Sequence, residues 1–261
     1  MMRLWIVQMN EFDLIIIGGG PAGITAATEA VRLGASVALV DENRHVGGNV
    51  FHHRSRGPIT GPSDKIETRI GAQILKDFDQ VKDRISVYLN TEVWNFIDKK
   101  TISLYAKKNH GIEEKQITGK KLIIAEGAFE RVVPFPGWTL PGVFSIGGLN
   151  ALVKGGVAPG KRFLVAGSGP LQLVVAHHLI NAGAKIEAIA DAASLTETVA
   201  TAFRSLTSIG AQRLRSGFDY IQNIRKQKIP IYRARVITKA SGINEVEKAT
   251  IVRVDRSWRP I

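Results

Sequence analysis

At 261 residues with 44% apolar side chains, the chain is long and apolar enough for one large folded domain or two ordinary ones, and it is not a disordered segment. It contains no cysteine, which excludes disulfides, thiolate metal sites, iron–sulfur ligation and a redox-active dithiol within this sequence. The formal net charge of +12 is uneven: residues 1–150 hold 18 Lys/Arg against 16 Asp/Glu, residues 151–261 hold 17 against 7, and the excess gathers between Arg204 and Lys239.

In chain order, the opening "MMRLWIVQMNEFD" lacks the long apolar stretch and small-residue cleavage site of a secretory signal, so the expected location is cytoplasmic. No apolar run reaches the roughly 18 residues that suggest a membrane-spanning helix. "DLIII" (13–17) is a β-branched apolar run of the kind buried in parallel sheets. Gly18, Gly20 and Gly23 then satisfy G-x-G-x-x-G, and a helical pattern follows through Ile24, Ala27, Ala30, Val31 and Leu33. Gly34 ends that helix, "SVALV" (36–40) forms the next strand, and Asp41 follows, 23 residues beyond Gly18.

Each part has a physical task. Gly18 permits a tight turn, Gly20 lets the backbone approach a pyrophosphate, and Gly23 lets the helix pack on the strand. The helix N-terminus offers unpaired N–H groups and about half a positive charge to an anion. Asp41 is placed to accept hydrogen bonds from ribose hydroxyls, and Glu42 is an adjacent candidate for the same work. The alternative is a glycine turn that binds nothing. Strand, triplet, helix, strand and acid in this order favour a dinucleotide site.

Two later stretches say which dinucleotide. "DENRHVGGNVF" (41–51) carries a second glycine pair, and "KKLIIAEGAFERVVPFPGWTLPGV" (120–143) supplies an apolar strand, a small-Glu-Gly turn and a proline-rich connection. Together with the first hinge they resemble the two-dinucleotide-domain flavoproteins of the pyridine nucleotide–disulfide oxidoreductase superfamily. The "PFPGWTLPGV" connection and the segment reaching "VAGSGP" resemble more narrowly the FAD-containing A (alpha) subunits of heteromeric amine dehydrogenases, the group of opine oxidase, hydrogen cyanide synthase, proline or hydroxyproline dehydrogenases and sarcosine oxidase alpha.

The resemblance implies an α/β fold of two Rossmann-like domains, residues 1–145 binding FAD and residues 146–261 forming a second dinucleotide-binding domain inserted in the first. It also implies that the chain is the N-terminal portion of a longer ancestor, without the C-terminal segment that returns to the first domain. Carried over residue by residue, Gly18, Gly19, Gly20, Pro21, Ala22 and Gly23 would wrap the FAD pyrophosphate, and Asp41 with Glu42 would hold the adenosine ribose. Gly48 and Asn49 match the approach to the flavin side, Val93 the strand that reads adenine, and Ala125 and Gly127 the family's Ala-Thr-Gly turn. Glu126 departs from that pattern, placing a carboxylate where the family has a neutral hydroxyl.

"KRFLVAGSGPLQLVVAHHLINAGAKIEAIADA" (161–192) repeats the first unit: Gly167 to Gly183 spans 16 residues, as does Gly18 to Gly34, and Asp191 lies 24 beyond Gly167. Gly167, Ser168, Gly169, Pro170 and Asp191 form a second nucleotide site on this reading, with NAD or another adenine nucleotide as ligand. Gln172 stands where the third glycine should be, and is expected to push the helix off the strand or to turn outward. The other reading is an empty scaffold for partner contact.

Beyond Asp191, Leu195, Val199, Ala202, Phe203 and Leu206 form one apolar helical stripe, and Phe218, Ile221 and Ile224 begin another. "PIYRARVITKASG" and "NEVEKATIVRVDRSWRPI" read as strands of a hairpin. The basic excess is read as a solvated face or a subunit contact; no nucleic-acid motif accompanies it, so nucleic acid is not an expected partner. His52 and His53 follow the second glycine pair as loop residues. His177 and His178 lie side by side in a helix, which points them in different directions and argues against a shared metal.

The expected function is that of an FAD-binding oxidoreductase subunit, paired with a flavoprotein of the amine oxidase type. It passes electrons from oxidation of a small amino or imino acid to an acceptor other than oxygen. The alternatives are an NAD(P)H-dependent flavoprotein reductase and a nucleotide-binding module without turnover. No catalytic residue and no metal ligand is named.

Overall fold

Strand β1 (Asn10–Ile17) runs into helix α1 (Pro21–Arg32) and returns through strand β2 (Val37–Val40), the strand–helix–strand order expected from the first hinge. The computed structural model describes residues 10–51, 65–108, 111–196 and 211–261. They fall into two units that part between Phe129 and Glu130.

In the first unit, α2 (Lys65–Asp79) and a short 3₁₀ turn (Lys82–Arg84) lead to β3 (Ile85–Tyr88). Strands β4 (Thr91–Phe96), β5 (Thr101–Lys108) and β6 (Gly111–Ile124) follow as a meander. The sheet order is β3-β2-β1-β6-β5-β4. Pairing is parallel from β3 across to β6 and antiparallel through β5 and β4. The first half of β6 pairs with β5 and its second half with β1, which joins the two kinds of ladder in one sheet.

Alternation along β1 and β2 explains their unbroken apolar runs. Ile16, Val37 and Leu39 face one way and pack with Ile24, Ala27 and Val31 of α1 and Phe78 of α2. Ile15, Ala38 and Val40 face the other way and pack with Ile102, Leu104 and Ile117. Both faces of these strands are therefore buried, and neither tolerates polar side chains. Helix α1 ends in a Schellman turn, with Gly34 at φ +89, Ala35 N donating to Ala30 O and Gly34 N to Val31 O.

The second unit opens with the proline-rich connection and α3 (Ile146–Lys154), capped by Ser145 Oγ accepting from Gly148 N. Strand β7 (Arg162–Gly167), helix α4 (Leu171–Asn181) and strand β8 (Lys185–Asp191) repeat the order of the first hinge. Helix α5 (Ala211–Lys226) then leads to β9 (Ile231–Arg233), completing a three-stranded parallel sheet in the order β7-β8-β9. Helix α4 also ends in a Schellman turn, at Gly183 (φ +83), with Ala184 N donating to Leu179 O and Gly183 N to Ile180 O. The equal 16-residue spacing of the two glycine pairs thus reflects a turn and a helix of nearly equal length in both units, stopped the same way. Leu149, Val153, Val165, Val175, Leu179, Ile189 and Ile224 form the core here.

Strands β10 (Arg235–Ser241) and β11 (Lys248–Arg253) make the expected hairpin. The proline-rich connection packs on it: Ala240 N donates to Pro136 O and Val246 N to Pro141 O. A Cβ on Gly137 would lie 2.1 Å from Ala240 O, so only glycine fits there. The apolar stripe expected over 195–206 lies almost wholly outside the described residues, as do His52, His53 and Arg204. No described helix is long and apolar enough to cross a membrane.

Candidate nucleotide site

At the C-terminal end of β1 the chain turns sharply. Gly18 has φ +102, and a Cβ there would sit 2.3 Å from Ala125 O, whose own amide donates to Ile17 O at 2.7 Å. A Cβ on Gly23 would sit 1.8 Å from Gly18 O, so α1 rests directly on the turn. A Cβ on Gly19 would meet the Asp41 carboxylate at 2.9 Å. These three glycines are required by contacts inside the protein.

Gly20 is different. Its backbone is extended (φ −70, ψ −178), a conformation open to any residue, and a Cβ there meets nothing within 4 Å. Neither conformation nor packing among the described residues requires a glycine here. Pro21 occupies the first turn of α1, and the first helical bond runs from Ile24 N to Gly20 O. The amides of Ala22 and Gly23 are thereby left without an intrahelical acceptor. No acidic side chain lies in that first turn to repel an anion.

Of the other residues named from the first half of the sequence, Asp41, Gly48 and Ala125 contact this turn directly. Asp41 is buried; its Oδ2 accepts from Gly19 N at 2.5 Å, and its Oδ1 accepts from Asn43 N at 2.7 Å and Asn43 Nδ2 at 2.9 Å. Glu42 beside it is exposed. The loop after β2 folds back, with Gly47 N donating to Gly19 O at 2.7 Å and the Cβ position of Gly48 (φ +57) 3.0 Å from Gly20 Cα. Asn49 follows it, exposed. Thr91 N donates to Asp41 O and Asn90 N to Asn43 O, tying the start of β4 to the acid turn. The ladder of β4 is irregular just after Val93, a break common beside ligand sites. Ala125 lines the turn, and Gly127, in the left-handed region at φ +80, lies exposed two residues on. Glu126 is also exposed.

The second hinge repeats the outline and not the fit. Gly167, Ser168, Gly169 and Pro170 are all exposed, and Gly169 meets nothing within 4 Å. Gln172 does not turn outward. It is 2% exposed, with Oε1 3.9 Å from the Cβ position of Gly167 and without a hydrogen-bond partner among the described residues. Helix α4 therefore stands off its turn by enough to admit a whole side chain, where α1 leaves no room for a methyl group. Asp191 is buried, with Oδ1 accepting from Ala193 N at 3.0 Å and Oδ2 from Arg233 Nη1 at 3.1 Å. Arg235 Nη1 donates to the carbonyls of Arg233 and Ala234, and Arg235 lies opposite Arg253 in the hairpin.

Several partners have little or no signature in the sequence. Asn43 and Gly47 lock the first acid and its loop, and the D-x-N spacing of an Asx turn is their only signal. Arg233 has no local signal, because it reaches Asp191 from 42 residues away. His178 is buried and bonded to Asn150 Oδ1 at 2.9 Å; His177 lies between Asn181 and Asn223. A groove of about 680 Å³ lined in part by His45, Leu75, Phe78, Ile85 and Leu89 includes none of the glycine-turn residues. On the surface, a bond from Lys120 and two from Ser36 hold the Asp13 carboxyl well below its usual range. Lys185 and Arg162 lower that of Glu187.

Residues 12–213 match the model of the family described as pyridine nucleotide-disulphide oxidoreductase. The chain is 33% identical over 253 residues to the HcnB subunit of hydrogen cyanide synthase from Pseudomonas aeruginosa, covering 94% of this chain and 52% of that protein. It is 32% identical over 248 residues to the opine oxidase A subunit of Rhizobium meliloti, covering 90% of this chain and 52% of that one. The chain spans about half the length of these curated relatives. Among solved structures, L-proline dehydrogenase from P. horikoshii superposes with a TM-score of 0.56 at 19% identity, covering 96% of this chain and 40% of that one, a likeness of fold.

Proposed function

The chain belongs to the pyridine nucleotide-disulphide oxidoreductase family, and on that premise we propose that it is the FAD-binding part of an oxidoreductase that oxidises a small amino or imino acid. The observation that supports this most is Gly20, a glycine that the protein needs neither for its backbone nor for its packing. The Ala22 and Gly23 amides without an intrahelical acceptor, and the absence of an acid in the first turn of α1, support a diphosphate there. The Ala22 and Gly23 amides would hold the diphosphate, the acids after β2 the adenosine ribose, and the backbone near Val93 the adenine. Gly48 and Asn49 would border the path toward the isoalloxazine, and Ala125 and Gly127 the far side of the turn.

Bound there, FAD supplies two-electron chemistry. The contribution of this chain is to bind and orient it. The cyanide synthase and opine oxidase relatives are each a subunit of their enzyme. Accordingly we place substrate oxidation on a partner flavoprotein of the amine oxidase type, with electrons leaving to an acceptor other than oxygen. The second unit is on this proposal a second dinucleotide-type domain inserted in the first. The Arg233 pair engages Asp191, the acid that would hold the ribose of NAD or another adenine nucleotide there, and so favours the empty-scaffold reading of this domain. The test is to titrate FAD into the purified chain and follow quenching of flavin fluorescence. Saturable binding at one site supports the proposal, and a chain that leaves flavin fluorescence unchanged refutes it.

A further inference from the structure

We infer that the neighbouring acids after β2 have separate tasks: Asp41 holds the glycine turn in shape, and Glu42 accepts the ribose hydroxyls of the bound nucleotide. The inference rests on the proposed dinucleotide at this hinge. An ionised carboxylate has about four acceptor positions. Three of those on Asp41 are taken, by Gly19 N, Asn43 N and Asn43 Nδ2. The side chain is also buried against the Gly19 backbone, 7% exposed. A ribose diol needs two acceptor positions, and Asp41 offers one. Glu42 sits at the same corner, is exposed, and has no hydrogen bond or ion pair among the described residues.

The second hinge supplies the contrast. Asp191 closes the same turn with the amide two residues on, Ala193 N, yet spends its other oxygen on Arg233 and is followed by Ala192. In each repeat the first acid serves the protein's own turn. Only the first hinge has another acid beside it. Asp41 is thus a positioning residue, and nucleotide recognition falls to Glu42.

The experiment compares ADP with 2′-deoxy-ADP, titrated calorimetrically into the wild-type chain and into Glu42→Gln and Asp41→Asn, with backbone amide exchange at Gly19 as a second readout. Wild type should prefer ADP. Glu42→Gln should weaken ADP about 10- to 100-fold, the loss expected for a hydrogen bond to a charged group. It should weaken 2′-deoxy-ADP, which keeps only the 3′ hydroxyl, by a smaller factor, and leave Gly19 exchange nearly unchanged. Asp41→Asn should speed Gly19 exchange and weaken both nucleotides by the same factor, preserving the preference. A preference for ADP that survives Glu42→Gln, or vanishes in Asp41→Asn, overturns the assignment and leaves the dinucleotide reading standing. A wild-type chain that binds neither ADP nor FAD removes both.

Discussion

Replacing Gly20 with alanine separates folding from binding. In the folded chain the added methyl meets nothing within 4 Å and the backbone is already extended. Two small effects oppose each other. Reduced freedom of the unfolded chain stabilises by about 0.4–1 kcal/mol, and loss of glycine at a helix N-cap costs a similar amount. The melting temperature should therefore move by no more than about 4 °C. Binding should suffer far more. The methyl occupies the space through which a diphosphate reaches the Ala22 and Gly23 amides, and two charge-assisted hydrogen bonds at about 1.5–3 kcal/mol each are at stake. FAD affinity should fall by at least about 100-fold. Thermal unfolding and flavin-fluorescence titration of the same preparation read both quantities. A Gly20→Ala chain that keeps its FAD affinity refutes the reasoning, whatever its stability.

Gly23→Ala should behave in the opposite way, since its Cβ would sit 1.8 Å from Gly18 O; we expect about 1–3 kcal/mol of destabilisation, read by urea unfolding of the apo chain. Arg233→Ala should free Asp191 and raise the affinity for NAD in calorimetric titration; unchanged or weaker binding would show that the ion pair does not close the second hinge. The depressed Asp13 carboxyl stabilises the fold fully above the ordinary carboxylate pKa of about 3.9, and that contribution is lost as pH falls through the lower folded value. The stability gap between wild type and Asp13→Asn should accordingly be full at neutral pH and shrink in strong acid, and a gap independent of pH would contradict the Lys120 and Ser36 contacts.

Local periodicity and glycine chemistry carry much of the fold. The apolar run before Gly18 is β1, the stripe through Ile24, Ala27 and Val31 is the buried face of α1, and Gly34 and Gly183 end their helices in the left-handed region. The hairpin of β10 and β11 is legible for the same reason. Helix α2 is absent from the sequence-based expectations, although Ile74, Leu75 and Phe78 recur at helical spacing and pack on α1's side of the sheet. The long β6 is foreshadowed only at its apolar end, because its first half, "GIEEKQIT", is a largely exposed ribbon strand with polar side chains. At the site, sequence order brings the glycines and the acid together correctly. Which acid is buried depends on Gly19 and Asn43. The fate of Gln172 depends on how far α4 stands from its turn, and that of Asp191 on an arginine from another strand. These are tertiary contacts with no periodic signature.

A diphosphate seated on the amides opening α1 would perturb those amides before any others. Titrating FAD into the ¹⁵N-labelled chain while recording backbone amide resonances tests it most directly. The expected result is saturable shifts that are largest at Gly20, Ala22 and Gly23, with Glu42 and Gly48 next. Amides at those positions that stay still while others move, or a spectrum that FAD leaves unaltered, would contradict it.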